Sequence, residues 1–396
     1  METVRTYKFR LNPTKEQEQQ FFSFAGCRRY VWNWALATFG EAFHCHTAML
    51  ALTELKKTEE AAFLNQAVAQ SLQQVLKDLE RAFKNKREGR AGWPRWKSRH
   101  TEPNAFRFPQ AVRLDGNLLV VPKIGAIPLV LHRQVEGTIK SATIKATPRG
   151  KWNVALVCHS EIAETPFTRE NPVGLDVGLE TFVTFSTGEK IAPPRFFRKQ
   201  QTRIKRAHRR ISRTQKRSKN RGKARRRLSS IYEKVRNSRQ DFLHQLSHRI
   251  VTEHDCICIE NLNLAALAKT KLRGHGKSWL DASQGEFRRQ LEYKAEWQSK
   301  RIVRIDRFFP SSQLCSNCGF REKHDLSVRE FDCANCGVKH DRDRNSAKNI
   351  LIEGLTLLST GTVAVMPAEE HIRPECQAGS VEAGKVPVST TGSPRL

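Results

Sequence analysis

Residues 173–191 read VGLDVGLETFVTFSTGEKI and predict a strand, a hairpin and one acidic side chain between two glycines. The short apolar run Val173–Val177 contains Asp176, and Thr181–Phe185 with the Ser186-Thr187-Gly188 turn predicts the hairpin that follows. An acid in the core of a β-strand costs free energy unless it is paired or bound to a metal. Asp176 is therefore a candidate metal ligand, although a strand-terminal acid is more often a cap or an ion-pair partner.

Two further acids are candidate metal ligands by the same reasoning. Glu260 ends the predicted strand Cys256–Ile259, and Asp343 lies in HDRDRNSAKNIL (residues 340–351), at the start of a helix that we expect to end around Gly354. Three such acids in a protein of net charge +29 fit the shared carboxylates that a two-metal phosphodiesterase site needs. Hard oxygen ligands favour Mg²⁺ or Mn²⁺ at such a site.

The cysteines predict a second metal site. Four of the ten cysteines form two Cys-x2-Cys pairs, each followed by glycine and separated by fourteen residues: Cys315 and Cys318, Cys333 and Cys336. Four thiolates at this spacing predict a closed, structural Zn²⁺ site. Disulfides are the alternative, and the intracellular setting expected below disfavours them. Cys256 and Cys258, two apart in a strand, are expected to be buried thiols on one face.

The positive charge is concentrated in one segment. The 396-residue chain has 69 lysines and arginines against 40 acids, and residues 195–239 alone carry twenty basic residues and one acid, Glu233. We expect this segment to be helical and to contact phosphates of nucleic acid. A solvated basic linker or a targeting signal is the alternative. The nucleic-acid-binding candidates are Arg203, Lys205, Arg206, Arg209, Arg210, Arg213, Lys216, Arg217, Arg225, Arg226 and Arg227.

The N-terminal half combines strands with an inserted helical part. Residues 3–11 alternate as a half-buried strand does, and Thr14 with Gln17 predicts a capping box. A second helix is expected near residues 66–86, and short strands follow between residues 106 and 158. These strands resemble a small barrel that the N-terminal strand completes. Residues 93–97, WPRWK, are either a packed turn or a surface that stacks on a base.

The composition also bears on location. Hydrophobic residues make up 38% of the chain, which supports folded cores rather than wholesale disorder. No apolar run of about 18 residues and no signal-peptide segment is found. We therefore expect a cytoplasmic protein with no membrane partner.

Six segments together resemble the TnpB family, insertion-sequence-encoded proteins related to type V CRISPR effectors. They are TYKFRLNPTKEQ, GLDVGLETF, IENLNLAAL, RFFPSSQLCSNCG, FDCANCG and HDRDRNSAKNIL, in family order over residues 1 to about 355. The resemblance implies an α/β RuvC-like nuclease domain of the RNase H fold, with Asp176, Glu260 and Asp343 as its catalytic acids. It also implies an inserted zinc ribbon held by the four paired cysteines and an N-terminal wedge β-barrel interrupted by a helical recognition domain.

The resemblance divides the chain into successive parts. They are a first barrel strand 1–12, a helical recognition domain 13–104, the barrel 105–170, the nuclease 171–309 with its basic helical segment 195–239, the ribbon 310–340 and the last nuclease helix 341–357. For the remainder, 358–396, it is the composition, with four glycines, four prolines and no aromatic residue after position 358, that predicts a disordered tail. One departure from the family pattern is Ser346, where alanine often follows the asparagine.

The function implied is an Mg²⁺-dependent, RNA-guided DNA endonuclease of a transposable element, in a prokaryotic, nucleoid-associated protein. Its partners would be a guide RNA from the element's own end and double-stranded target DNA beside a short recognised motif, with a monomeric protein in the complex. An RNA-guided or plain DNA-binding repressor is the alternative. A DNA-joining transposase would need a nucleophilic tyrosine (Tyr7, Tyr30, Tyr232 or Tyr293) and a paired-histidine site on a strand. The His44-Cys45-His46 triplet lies instead in a region expected to be helical.

Overall fold

The structure is a computed structural model that describes residues 2–161, 170–263, 266–267, 275–325 and 327–361. The helices are α1 Lys15–Phe39, α2 Cys45–Leu55, α3 Ala69–Arg87, α4 Phe196–Ser212, α5 Lys219–Glu253, α6 His275–Ala282, α7 Gln284–Trp297 and α8 Arg342–Ser359. Two short 3-10 helices span Gly40–Ala42 and Glu59–Gln66. The predicted tail lies outside the described residues from position 362 onward. No helix in the described part of the chain has the length and apolar character required to cross a bilayer.

The strands form three sheets. They are β1 Glu2–Leu11, β2 Ala105–Phe108, β3 Arg113–Asp115, β4 Leu118–Val121, β5 Gly125–Val130, β6 Thr138–Ala146, β7 Trp152–Glu161, β8 Pro172–Val177, β9 Val183–Phe185, β10 Lys190–Ile191, β11 Cys256–Glu260, β12 Arg301–Ile305, β13 Glu330–Asp332 and β14 Lys339–Asp341. The first seven make one antiparallel sheet in the order β2-β6-β7-β1-β5-β4-β3.

The N-terminal strand belongs to this sheet although the helices α1 to α3 separate it from the other six strands. β1 pairs with β7 along its whole length, from Glu2 opposite Glu161 to Leu11 opposite Trp152. Thr14 then caps α1 in the predicted capping box, since its hydroxyl accepts from the Gln17 amide at 3.2 Å. The helices are thus an insertion in the sheet, as the strand pattern predicted.

The inserted helices pack their apolar faces on the sheet. On α3 the residues Leu72, Val75, Leu76, Leu79 and Phe83 are buried at helical spacing, which confirms the helix predicted near residues 66–86. His44 is the N-cap of α2, which Cys45 and His46 begin, so that triplet is helical as expected.

The WPRWK loop, residues 93–97, is docked on α1. The Trp32 indole donates to the Arg95 carbonyl at 3.0 Å, and Asn33 exchanges two hydrogen bonds with the backbone of Lys97. The Trp93 ring meets the Phe83 ring edge-on at 5.5 Å. A packed turn accounts for most of this loop, but Trp96 remains 61% exposed.

The second sheet has five strands in the order β10-β9-β8-β11-β12. β8, β11 and β12 are parallel, and β9 and β10 run antiparallel beside them. Counted from β8 the order is 3-2-1-4-5, the strand order of an RNase H-like sheet. The helices α5 and α7 cover one face of this sheet and α8 covers the other, so Cys256–Ile259 is buried throughout.

Two glycines allow α8 to lie directly on the sheet. A Cβ atom at Gly174 in β8 would stand 2.1 Å from the Ala347 carbonyl oxygen, and one at Gly354 would stand 2.3 Å from Cys258 Sγ. The expectation that the helix ends near Gly354 was wrong, because this glycine serves close packing and the helix runs on to Ser359. Gly361, with φ of +67°, follows the helix end instead.

Replacing Gly174 by alanine should displace α8 from β8. The new methyl group collides with backbone rather than with a flexible side chain, so we expect a loss of about 1–3 kcal/mol or more. Thermal or urea unfolding measures the change. Gly222→Ala in α5 is the matched control, because a Cβ there meets nothing within 4 Å. Equal stability of the two variants would contradict the close approach.

Candidate active site

The three predicted acids lie at one edge of the second sheet. Since β8 and β11 are parallel with Leu175 opposite Ile259, the next residues along the two strands are Asp176 and Glu260. Asp343 is in the first turn of α8, which packs across both strands. The fold therefore brings together three side chains that are far apart in the sequence.

The acids repel one another in the absence of a cation. Burial, together with the charges of Glu260 and Asp343, raises the pKa of Asp176 to about 8, while a hydrogen bond with Ser346 opposes the shift. Burial also raises the pKa of Glu260, and the Ser311 hydrogen bond opposes that shift. Oxygen ligands that hold excess negative charge fit divalent cations. The three acids are more widely spaced than a single tight ion cage, since their oxygens do not all lie within 4.8 Å of one another.

This electrostatic strain predicts a pH dependence of stability. In folded, cation-free protein Asp176 retains a proton up to about pH 8 that the unfolded chain releases near pH 4, so stability falls as the pH rises between these values. Asp176→Asn should flatten this part of the curve. Melting temperatures of both proteins between pH 4 and pH 8, without added divalent cations, measure it. Parallel curves would contradict the assignment.

Two serines connect the acids. Ser311 Oγ donates to Glu260 Oε1, and Ser346 Oγ lies 3.1 Å from Ser311 Oγ. Ser346 Oγ is also within hydrogen-bonding reach of Asp176, so its single proton is donated either to that carboxylate or to Ser311, and the hydroxyl pair lies between the two carboxylates. Ser311 was not among the predicted site residues, although it stands in the RFFPSSQLCSNCG segment. Ser346, noted only as a departure from the family pattern, is part of the site.

Ser311→Ala should weaken the site without removing an acid. Glu260 loses its donor, and loss of such a supporting hydrogen bond typically costs about ten- to a hundredfold in metal affinity or activity. The Mg²⁺ concentration for half-maximal activity is the measurement, and it should rise. Ser312→Ala, the next residue, is the matched control. An unchanged Mg²⁺ requirement would remove Ser311 from the site.

Basic side chains surround Asp343. Lys190 Nζ lies 2.7 Å from Asp341 Oδ2 and 4.0 Å from Asp343 Oδ2, and Arg329 lies 4.0 Å from Asp343 Oδ1. Asp341 is the N-cap of α8, because its Oδ1 accepts from the Arg344 amide at 3.0 Å. Of the two acids in this motif, Asp341 therefore caps the helix, whereas Asp343 makes only the two longer ion pairs at 4.0 Å.

The four predicted cysteines converge. Their sulfurs all lie within 4.8 Å of one another, with Cys315–Cys336 and Cys318–Cys333 separations of 3.7 Å. A tetrahedral Zn²⁺ with Zn–S bonds of about 2.3 Å requires S–S separations of about 3.8 Å, so the cluster fits this ion. The glycine that follows each pair donates its amide to the first cysteine's carbonyl, at 2.9 Å and 2.8 Å, with φ of +74° and +69°.

The cysteine cluster is tied to the acidic site. Asn345 accepts from the Ser316 amide at 2.8 Å and donates to the Leu314 carbonyl at 2.6 Å. Asn349 donates to the carbonyls of Ser311 and Leu314, at 2.8 Å and 2.7 Å. These two asparagines of α8 hold the segment that carries both Ser311 and the first cysteine pair.

The basic segment forms a hairpin of two helices, α4 and α5. All eleven residues named above as nucleic-acid-binding candidates are exposed, whereas Ile204, Ala207 and Ala224 are buried. Arg221 has a structural role, since it donates to the Ile211 and Thr214 carbonyls across the turn at 2.8 Å and 3.0 Å. The segment is therefore an ordered, positively charged surface and not a linker.

A buried acid that sequence reasoning missed anchors this hairpin. Asp281 in α6 accepts from the Phe197 amide at 3.0 Å at the start of α4, and it pairs with Arg239 of α5 at 2.9 Å. It thus caps one helix and holds the other. No local pattern marks Asp281, because its partners lie far away in the sequence.

Three family models match the chain. They are described as "Probable transposase" at residues 155–271, "Cas12f1-like, TNB domain" at residues 285–350 and "Helix-turn-helix domain" at residues 1–47. A protein of Streptomyces pristinaespiralis with the provisional name RNA-guided DNA endonuclease is 37% identical, over 99% of this chain and 98% of its own. The chain belongs to the TnpB family.

Other relatives agree with this TnpB assignment. Escherichia coli K12 has a protein provisionally named RNA-guided DNA endonuclease InsQ, 33% identical over 91% of this chain and 95% of its own. Among solved structures, a Cas12f1 in complex with single guide RNA and target DNA superimposes with a TM-score of 0.55, covering 88% of this chain and 98% of that one at 12% identity. The fold of this TnpB protein is thus that of a Cas12f1-like effector.

Proposed function

We propose that this protein is an RNA-guided DNA endonuclease that hydrolyses target DNA beside a short recognised motif. The observation that supports it most strongly is the convergence of Asp176, Glu260 and Asp343 at one edge of an RNase H-like sheet, in a chain whose relatives carry that name. The intact acids favour cleavage over the alternative of a guided repressor.

The acids would hold two divalent cations, Mg²⁺ or Mn²⁺. Such cations supply an activated water and stabilise the leaving 3′-oxygen. The chain's own contribution is to position the carboxylates through Ser311 and Ser346 and to orient Asp343 on the capped end of α8. Lys190 and Arg329 add positive charge where a phosphate would approach.

The remaining parts have separate roles in this proposal. Zn²⁺ in the four-cysteine cluster would hold the ribbon, and the exposed basic residues of the α4–α5 hairpin would bind guide RNA or the RNA–DNA heteroduplex. The first sheet would act as the wedge barrel and α1 to α3 as the recognition domain, with the boundaries predicted from the sequence. The protein would act as one copy per RNA.

Sequencing of RNA that co-purifies from host cells with the native locus, followed by plasmid cleavage with Mg²⁺, tests the proposal. We expect one discrete RNA, and cleavage only of a plasmid that matches its variable end. A discrete RNA with matched binding but no cutting would favour the repressor. No specific RNA would contradict the guided function and leave the basic hairpin with general polyanion affinity.

A further inference from the structure

Phe308 is the most exposed large hydrophobic side chain in the described part of the chain, at 85%. It lies in the loop after β12, within the sequence Asp306-Arg307-Phe308-Phe309. Single exposed apolar residues are common on proteins, so exposure by itself indicates no function. What distinguishes Phe308 is how the loop holds it and where the loop lies.

The loop is fixed at several points. The Phe308 amide donates to Asp306 Oδ1 at 2.7 Å, and the Phe309 amide donates to the Asp306 carbonyl at 3.2 Å. Phe309 packs against the apolar cluster beneath α8, and the Ser311 amide donates to the Phe309 carbonyl at 2.8 Å. One ring is therefore anchored in the core while the ring before it is held out in solvent.

Both ends of the loop touch Glu260. Ile305 is the register partner of Glu260 across the β11–β12 pair, and Ser311 donates to its carboxylate. Phe308 is three residues from Ile305 and three from Ser311, so its Cα atom lies at most about 11 Å from the Cα atom of either residue. That distance corresponds to about three nucleotides of a stacked strand, at a rise of about 3.4 Å each.

The residues around Phe308 favour a nucleobase, rather than a protein surface, as the ligand of its ring. The exposed neighbours of Phe308 in the chain are Asp306 and Arg307, so the ring is not part of a continuous apolar patch along this loop. The Arg307 guanidinium lies 5.9 Å from the centre of the ring. An aromatic face beside a guanidinium suits a base and its phosphate, and such stacking tolerates any base.

We propose that Phe308 stacks on an unpaired base of the DNA strand within about three nucleotides of the scissile phosphate and so holds that strand over the acids. The ligand is single-stranded DNA of any sequence. This inference rests on the proposed function and adds a binding residue to it.

The first test compares side chains at position 308. Phe308→Leu keeps apolar bulk but removes the ring, and it should slow single-turnover cleavage of guide-matched DNA about ten- to a hundredfold. Phe308→Trp should retain wild-type cleavage. Guide binding and melting temperature should not change, because the ring contacts mainly solvent. Leu50→Ala, at a 61% exposed position on α2, is the control for loss of an exposed apolar side chain.

The second test reads stacking directly. 2-Aminopurine is placed at successive positions of the cleaved strand, and its fluorescence is measured with Ca²⁺ in place of Mg²⁺. We expect quenching only within about three nucleotides of the cut, and loss of that quenching in Phe308→Leu.

The outcomes separate this proposal from the one it rests on. If wild-type protein cuts matched DNA and Phe308→Leu cuts it equally fast, the stacking role is overturned and the nuclease stands. The same conclusion follows if matched DNA is cut but neither protein quenches 2-aminopurine near the cut. A Trp variant as slow as the Leu variant would also overturn the stacking role. Wild-type protein that cuts no guide-matched DNA would overturn the nuclease, and the stacking role with it.

Discussion

Asp176→Ala is expected to reduce guided DNA cleavage by about a thousandfold or more while RNA-dependent DNA binding stays nearly unchanged. Asp176 is buried and close enough to Glu260 and Asp343 for burial and both of their charges to raise its pKa, so its removal should empty the site of cations. Even the loss of one preorganised hydrogen bond to a transition state costs about a hundred- to a thousandfold in an oxyanion hole, where no metal ligand is removed. Single-turnover cleavage and gel-shift binding with the guide bound measure the two quantities.

Asp341→Asn is the matched control for this prediction. Asp341 stands two residues from Asp343, but it caps α8, and asparagine caps a helix about as well as aspartate. We expect its cleavage rate to stay within about tenfold of wild type, because only the pairing with Lys190 is lost. Loss of both binding and cleavage in Asp176→Ala would mean that this acid supports the fold and not the chemistry.

Cys315→Ser is expected to remove the bound zinc and to disorder the ribbon. Structural Zn²⁺ contributes roughly 10–16 kcal/mol of apparent binding free energy in small zinc domains, and a cluster of three thiolates retains little of it. The effect should reach the acids, because Asn345 and Asn349 hold Leu314, Ser316 and Ser311 only while this segment is folded. Cleavage should therefore fall with the zinc content.

Elemental analysis of the purified protein and hydrogen exchange along the chain measure these effects. We expect one zinc per wild-type chain and faster exchange in the variant at residues 311–341, with residues 2–161 unaffected. Cys45→Ser, a buried thiol in α2 outside the cluster, is the control and should keep its zinc. An unchanged zinc content in Cys315→Ser would exclude the four-cysteine site.

Elements whose signals are local were predicted well. The short strands predicted between residues 106 and 158 are present, Leu118–Val121 and Thr138–Ala146 among them, and so is the Thr14–Gln17 capping box. The spacing of the four cysteines was sufficient to predict their cluster, because each Cys-x2-Cys-Gly segment forms a turn in which the glycine amide donates to the carbonyl of the first cysteine. Such features depend on side-chain periodicity and on neighbours within a few residues.

The interpretation of Gly354 shows where local reading fails. A glycine near the end of a helical pattern usually marks its C-terminus, and here it lies inside α8 against Cys258. Whether a glycine ends a helix or lies within it and allows another element to pack closely depends on which residues lie beside it. That neighbour is almost a hundred residues away in the chain and is invisible to a pattern of adjacent residues.

The sequence by itself determined the element types of most of the chain, the four cysteines that converge and which three acids to consider. Only the tertiary structure placed Ser311 and Ser346 between two of those acids, made Asp281 the cap of the basic hairpin and brought both ends of the Phe308 loop to Glu260. The physical reason is that propensity, patterning and ligand spacing act over a few residues. A hydrogen bond between distant segments exists only after sheet register and helix packing have brought its donor and acceptor together.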